Sequence, residues 1–235
     1  MKKYIVIILA FIVLLLSCFG VSGATYKFAS DNVKEIIKEV EIEVPVYPDE
    51  NLKMTLKEGE YYFTNFKNKL YYYNQNDYYN IPYSIYGTIK SHGCGPTVMA
   101  MVLSSYKNEK ILPQETVKYA CDNDYCTLHG TDLAFFESIS KEYGLKVEGP
   151  LDASNKDNQL KALESLMSDN KLVIIRAYHG YFFVNSHYML LAGNVDGKIL
   201  VLDPNSREKT GTYSFDYLMS DEVGTRYIFI ISEEE

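Results

Sequence analysis

The sequence predicts an α+β fold, with helices first and an antiparallel sheet after them. Three observations carry this expectation. Four segments between Pro96 and Ser168 place apolar residues at helical spacing. Beyond them the pattern changes to short apolar runs: Leu172 to Ala177, His187 to Ala192, Lys198 to Leu202 and Arg226 to Ile231. Two of these runs flank Asp196-Gly197, a dipeptide that favours a tight hairpin and so antiparallel pairing.

The elements follow in chain order. Tyr61-Tyr62-Phe63 and Leu70-Tyr-Tyr-Tyr73 are rich in aromatic residues that suit strands. Pro96 to Tyr106 carries Met99, Val102 and Leu103 on one face, with Pro96 expected at the first helical position. Pro113 to Asn123 opens on Pro-Gln-Glu, a helix start. Thr131 to Tyr143 begins with a capping residue and stops at Gly144. Asp157 to Ser168 is amphipathic through Leu160, Leu163, Leu166 and Met167. No internal repeat or low-complexity tract interrupts the series.

Composition limits the function. The 235 residues are 47% apolar, enough for a core, and 31 acidic against 23 basic residues give a net charge of −8. A nucleic-acid partner is not expected, because binding phosphates needs a basic face. Met1-Lys2-Lys3 precedes an apolar run from Tyr4 to Leu16, shorter than the roughly 20 residues that span a bilayer. It reads as the core of a secretory signal over residues 1–24, with Ser22-Gly23-Ala24 as the cleavage site. Two alternatives stay open: a lipoprotein signal ending at Cys18, and an uncleaved anchor from Tyr4 to Val21. Each of the three places the rest of the chain outside the cytoplasm, secreted or on the outer face of a bacterial membrane. Membrane contact is then confined to this segment, where it is retained or lipidated. Residues 25–70 read as an extension or linker, either a propeptide, a spacer or a solvated tether, and residues 71–235 as the domain.

Three cysteines lie beyond the signal: Cys94, Cys121 and Cys126. Cys94 stands between two glycines in Ser91-His-Gly-Cys-Gly-Pro-Thr97, just before a helix. There a thiolate would meet the spare N–H groups and positive dipole end of the helix, which lowers a thiol pKa. A buried structural cysteine is the plain alternative. A base is available in the hairpin Ser186 to Pro204. With Val195-Asp196-Gly197 as a three-residue loop, His187 falls opposite Asn205, and Asp203 lies diagonal to His187 on the same face. Diagonal neighbours are about 7–8 Å apart, within reach of an imidazole and a carboxylate. Cysteine, histidine and carboxylate together activate a thiol for acyl transfer. His179, in a polar turn, is the rival base. Cys121, Cys126 and His129, with Asp122 and Asp124 nearby, lack the paired spacing of a zinc site and read as a disulfide or two inert thiols. No metal is expected. The tyrosines from Tyr71 to Tyr86 fit a peptide or sugar groove, or plain packing.

Gly93-Cys-Gly-Pro-Thr97, Met99-Ala-Met-Val-Leu103, His187-Tyr-Met-Leu190 and Asp203-Pro-Asn205, in that order, resemble papain-like cysteine peptidases. The nearest likeness is to the bacteriocin-leader-peptidase-like group, family thirty-nine of the cysteine peptidases, from about Tyr71 to Ile231. The resemblance implies a papain-like fold, its helical half carrying the nucleophile and its antiparallel sheet the His and Asp. It also implies that Cys94 is the nucleophile, His187 the general base and acid, and Asp203 the orienting carboxylate. No cofactor is needed, and the expected partner is a peptide or protein substrate met by a monomer. The family's oxyanion Gln, six residues before the cysteine, is Thr88 here. Gln75, in Tyr73-Asn-Gln-Asn-Asp77, is assigned that role instead, with Ser91 or His92 as the alternatives. A competing class is a non-catalytic surface module that binds peptide or cell-wall fragments on the same fold.

Overall fold

The computed structural model describes residues 54–56, 60–62, 64–84 and 86–234, all within the unit Asp49–Glu235. The predicted signal over residues 1–24, including Cys18, and residues 25–53 of the predicted extension lie outside the described residues.

The chain opens with a hairpin of β1 (Met54–Leu56) and β2 (Glu60–Tyr62). Within the expected strand from Leu70 to Tyr73, residues 71–73 are not strand. Their polar groups are used elsewhere: Tyr71 N–H donates to Ser105 Oγ at 3.0 Å, Tyr72 Oη to the Asp203 carbonyl at 2.8 Å, and Tyr73 Oη lies 3.1 Å from Ser104 Oγ. A 3₁₀ turn over Gln75–Tyr78 follows.

Helices α1 (Ile89–His92), α2 (Cys94–Lys107), α3 (Pro113–Asp122) and α4 (Ala134–Glu142) come next, with a small hairpin of β3 (Cys126–Thr127) and β4 (Gly130–Thr131) before α4. Thr131 therefore pairs in β4 rather than capping a helix, and Asp132 Oδ1 takes the Ala134 N–H at 2.8 Å instead. Then come β5 (Leu145–Asp152), α5 (Lys156–Leu166), β6 (Lys171–Tyr178), β7 (Ser186–Val195), β8 (Lys198–Leu202), β9 (Gly211–Tyr213), α6 (Phe215–Leu218) and β10 (Thr225–Glu233). Six strands form one antiparallel sheet in the order β5-β10-β6-β7-β8-β9. The expected α+β class is what the chain adopts.

Because successive strand residues point to opposite faces, the apolar runs serve two cores at once. Leu172, Ile174, Tyr188, Leu190, Leu200 and Phe229 pack against α2, α3 and α4. Val173, Ile175, Met189, Leu191, Val201 and Ile230 pack on the other side, with Ala162 and Leu166 of α5. Helix α2 is buried from Gly95 to Tyr106, which fixes its first turn against the sheet.

Candidate active site

Cys94 is the first residue of α2, and Gly93 is its N-cap. The helix starts two residues earlier than expected, so Pro96 occupies the third position rather than the first. That position still lies in the first turn, where backbone N–H groups have no partner within the helix. Both flanking glycines are sterically required. A Cβ on Gly93 would sit 2.6 Å from the Ile89 carbonyl oxygen, and one on Gly95 2.8 Å from Thr131 Oγ1. The cysteine is thus clamped between α1 and β4.

His187 and Asp203 come from the β7–β8 hairpin. Its loop is two residues long, not three. Asp196 (φ 50°) and Gly197 (φ 81°) both take left-handed backbone, and Val195 pairs with Lys198. The extra residue appears further along β7, where the register shifts between Leu191 and Asn194. Gly193 (φ 98°) lies in this bulge, and its missing Cβ leaves room for Asn65 Oδ1, 2.5 Å from where that atom would be. Asn65 Oδ1 accepts the Asn194 N–H at 2.6 Å. Past the bulge Leu190 pairs with Leu202, the register that the three-residue loop would have given. The diagonal is consequently preserved, and His187 Nε2 lies 2.7 Å from Asp203 Oδ1.

This pair is sealed from water, with His187 2% and Asp203 0% exposed. Asp203 Oδ1 also accepts the Asn205 N–H at 2.8 Å and the Ser206 N–H at 3.3 Å, while the Asp203 N–H donates to Thr210 Oγ1 at 3.0 Å. Phe183 stacks on the imidazole, with ring centroids 5.2 Å apart and planes at 27°.

The other side of the imidazole meets Cys94. Burial alone would push this thiol up. A hydrogen bond from His187, the positive charge on that ring and the N–H groups of Tyr188 and Gly95 outweigh it, and hold the thiol below its ordinary value. Burial disfavours the His187 imidazolium, but the Asp203 hydrogen bond, the Cys94 hydrogen bond and both negative charges raise it to about 9. The pair is therefore set to exist as thiolate and imidazolium.

A cleft of about 350 Å³ opens beside the sulfur. Ser91, His92, Cys94, His129, Arg176 and Tyr188 are among the residues that line it. Cys94, His187 and Asp203 are brought together; Gln75 is placed differently. It is buried on its 3₁₀ turn, its Nε2 donates to the Lys90 carbonyl at 2.5 Å, and its backbone N–H donates to the Pro204 carbonyl at 2.7 Å. It braces the segments before Cys94 and after Asp203, and is not a lining residue of the cleft. Ser91 and His92 do line it, joined by Ser91 Oγ to His92 Nδ1 at 2.8 Å. The rival base His179 is exposed, bonded to the Val184 carbonyl at 2.6 Å, and absent from the cleft. Cys121 and Cys126 are free thiols. Burial of its sulfur and the neighbouring Cys126 push Cys121 up to about 12. Phe183 and Arg176 escaped the sequence reading, since no spacing rule marks a ring four residues before a histidine or a cation one strand away.

Comparison with known proteins gives a family match. The model of the Peptidase C39 like family matches residues 67–227. No curated protein matches the chain. Among solved structures, the peptidase domain of Streptococcus ComA, described as a bifunctional ABC transporter in a quorum-sensing pathway, is 16% identical with a TM-score of 0.44, over 61% of this chain and 93% of that one. A double glycine motif protease from an AMS/PCAT transporter, in complex with the leader peptide, is 17% identical with a TM-score of 0.40, over 66% and 91%. A structure from Bacillus anthracis described as a C39-like peptidase is 12% identical with a TM-score of 0.42, over 71% and 95%.

Proposed function

The chain belongs to the Peptidase C39 like family, and from that we propose that it is an exported cysteine peptidase that hydrolyses peptide bonds through Cys94, His187 and Asp203. The Cys94 thiolate attacks the peptide carbonyl carbon, forming a C–S bond and an oxyanion. The His187 imidazolium gives its proton to the departing amine as the C–N bond breaks, leaving an acyl-enzyme. His187, now neutral, takes a proton from water, which attacks the thioester and releases the acid and the thiolate. Asp203 keeps the ring oriented and stabilises its charge. The Cys94 N–H is one oxyanion donor. Gln75, buried outside the cleft lining, positions the segments that carry Cys94 and Asp203 and is given no direct contact with the oxyanion. No cofactor enters this cycle. The protein acts as a monomer outside the cytoplasm, and meets a membrane only through its N-terminal segment where that segment is retained or lipidated.

The observation that carries this reading is the bond of 2.7 Å between His187 Nε2 and Asp203 Oδ1, on a ring whose other edge faces the Cys94 sulfur. Digestion of a peptide library, followed by mass spectrometry, tests it. Wild type should cut peptides and Cys94→Ala should not. Peptide binding by Cys94→Ala, with no turnover by wild type, would make the domain a binding module instead.

A further inference from the structure

Arg176 on β6 lies directly opposite Tyr188 on β7, one rung from the Ala177–His187 pair. Both line the cleft beside Cys94. Two polar atoms there are left over: Arg176 Nε and the Tyr188 hydroxyl are buried without a hydrogen-bond partner among the described residues. Tyr188 as a whole is 2% exposed. The guanidinium makes one long hydrogen bond, Nη2 to Ser186 Oγ at 3.3 Å. Otherwise it rests over the rings of Tyr178 and Tyr188, at 4.9 and 5.1 Å. Among the described residues no carboxylate forms an ion pair with it. None of the residues lining the cleft is an Asp or Glu.

A half-buried guanidinium is ordinarily balanced by an acid, and buried donors are ordinarily bonded. Here both conditions fail at one place, within the cleft where a substrate would lie. We propose that Arg176 and the Tyr188 hydroxyl form a receptor for a carboxylate on the bound peptide, so that the cleft selects acidic substrates. The guanidinium offers parallel N–H groups to the two carboxylate oxygens, and the phenol adds a third donor. In a chain with a net charge of −8, a cleft lined by a cation and no acid favours an anionic peptide over a neutral one. The carboxylate is either an Asp or Glu side chain near the scissile bond or a free C-terminus. This inference rests on the peptidase reading.

The test pairs peptides that differ by one Glu→Gln exchange, each with a free and an amidated C-terminus. Wild type should cut the acidic or free-acid member about ten- to a hundredfold more efficiently. Which exchange matters identifies the source of the carboxylate. Arg176→Gln should bring the ratio of cleavage between the acidic and neutral members close to one, and Arg176→Lys should keep part of the preference. Labelling of Cys94 by iodoacetamide at the wild-type rate shows that each variant is folded. Equal cleavage of acidic and neutral peptides by wild type, or a preference that survives Arg176→Gln, overturns the receptor and leaves the peptidase reading intact. Should wild type cut nothing, the peptidase reading fails, and binding of the same peptide pairs to Cys94→Ala decides the receptor separately. Tighter binding of the acidic member, lost on adding Arg176→Gln, supports it; equal binding refutes it.

Discussion

At Cys94, burial and pairing pull in opposite directions, and pairing wins because the counter-charge is itself buried and anchored. The sign for pH follows. The thiol is held below its ordinary value, so the thiolate persists as pH falls; His187 is raised to about 9, so the imidazolium persists until pH rises through that value. Peptide turnover should therefore fall on the acid side as the thiolate protonates, and on the alkaline side near pH 9 as His187 loses its proton. Asp203→Asn keeps the shape but removes the charge, and should lower kcat/KM by about 10²–10⁴ while moving the alkaline limb down. Steady-state kinetics across pH check both. At this scale the sequence was a good guide to Cys94, whose glycines and helix start are local, and to His187 and Asp203, joined by one hairpin. It was a poor guide to Arg176 and Phe183, whose roles depend on strand pairing and loop path.

The hairpin shows how an element can reach the expected place by another route. The Asp196-Gly197 turn takes two residues, and the bulge at Gly193 restores the offset that brings Asp203 under His187. Gly193→Ala should cost more than about 1–2 kcal/mol, because left-handed backbone strain adds to the clash with Asn65. Gly197→Ala carries the strain without the clash, as nothing lies within 4 Å of its added Cβ, and should cost less. Denaturant unfolding of the two variants measures the difference, and only Gly193→Ala should also depress turnover. Strand β5 escaped the sequence reading because it pairs on one side only, with β10, and Lys146, Glu148 and Gly149-Pro150 break its apolar pattern. Lys198–Leu202 was legible to the residue, since a strand buried on both faces between two turns leaves little freedom.

Over the whole molecule, one sheet is shared by two cores, so neither should melt without the other. Leu103→Ala in the helical core and Ile175→Ala on the opposite face should each cost about 2–5 kcal/mol. Each should shift a single transition, coincident by tyrosine fluorescence and circular dichroism. The site sits where the helical layer meets the sheet, which is why its reactivity reports on the assembled fold. Alkylation of the intact protein with iodoacetamide near pH 6, with the modified cysteines mapped by mass spectrometry, addresses that reactivity most directly. Cys94 should be modified well ahead of Cys121, whose thiol is held up to about 12, and of half-buried Cys126, and His187→Ala should abolish the lead. Equal slow modification of all three, or none at Cys94, would contradict a sulfur kept ionised by its histidine.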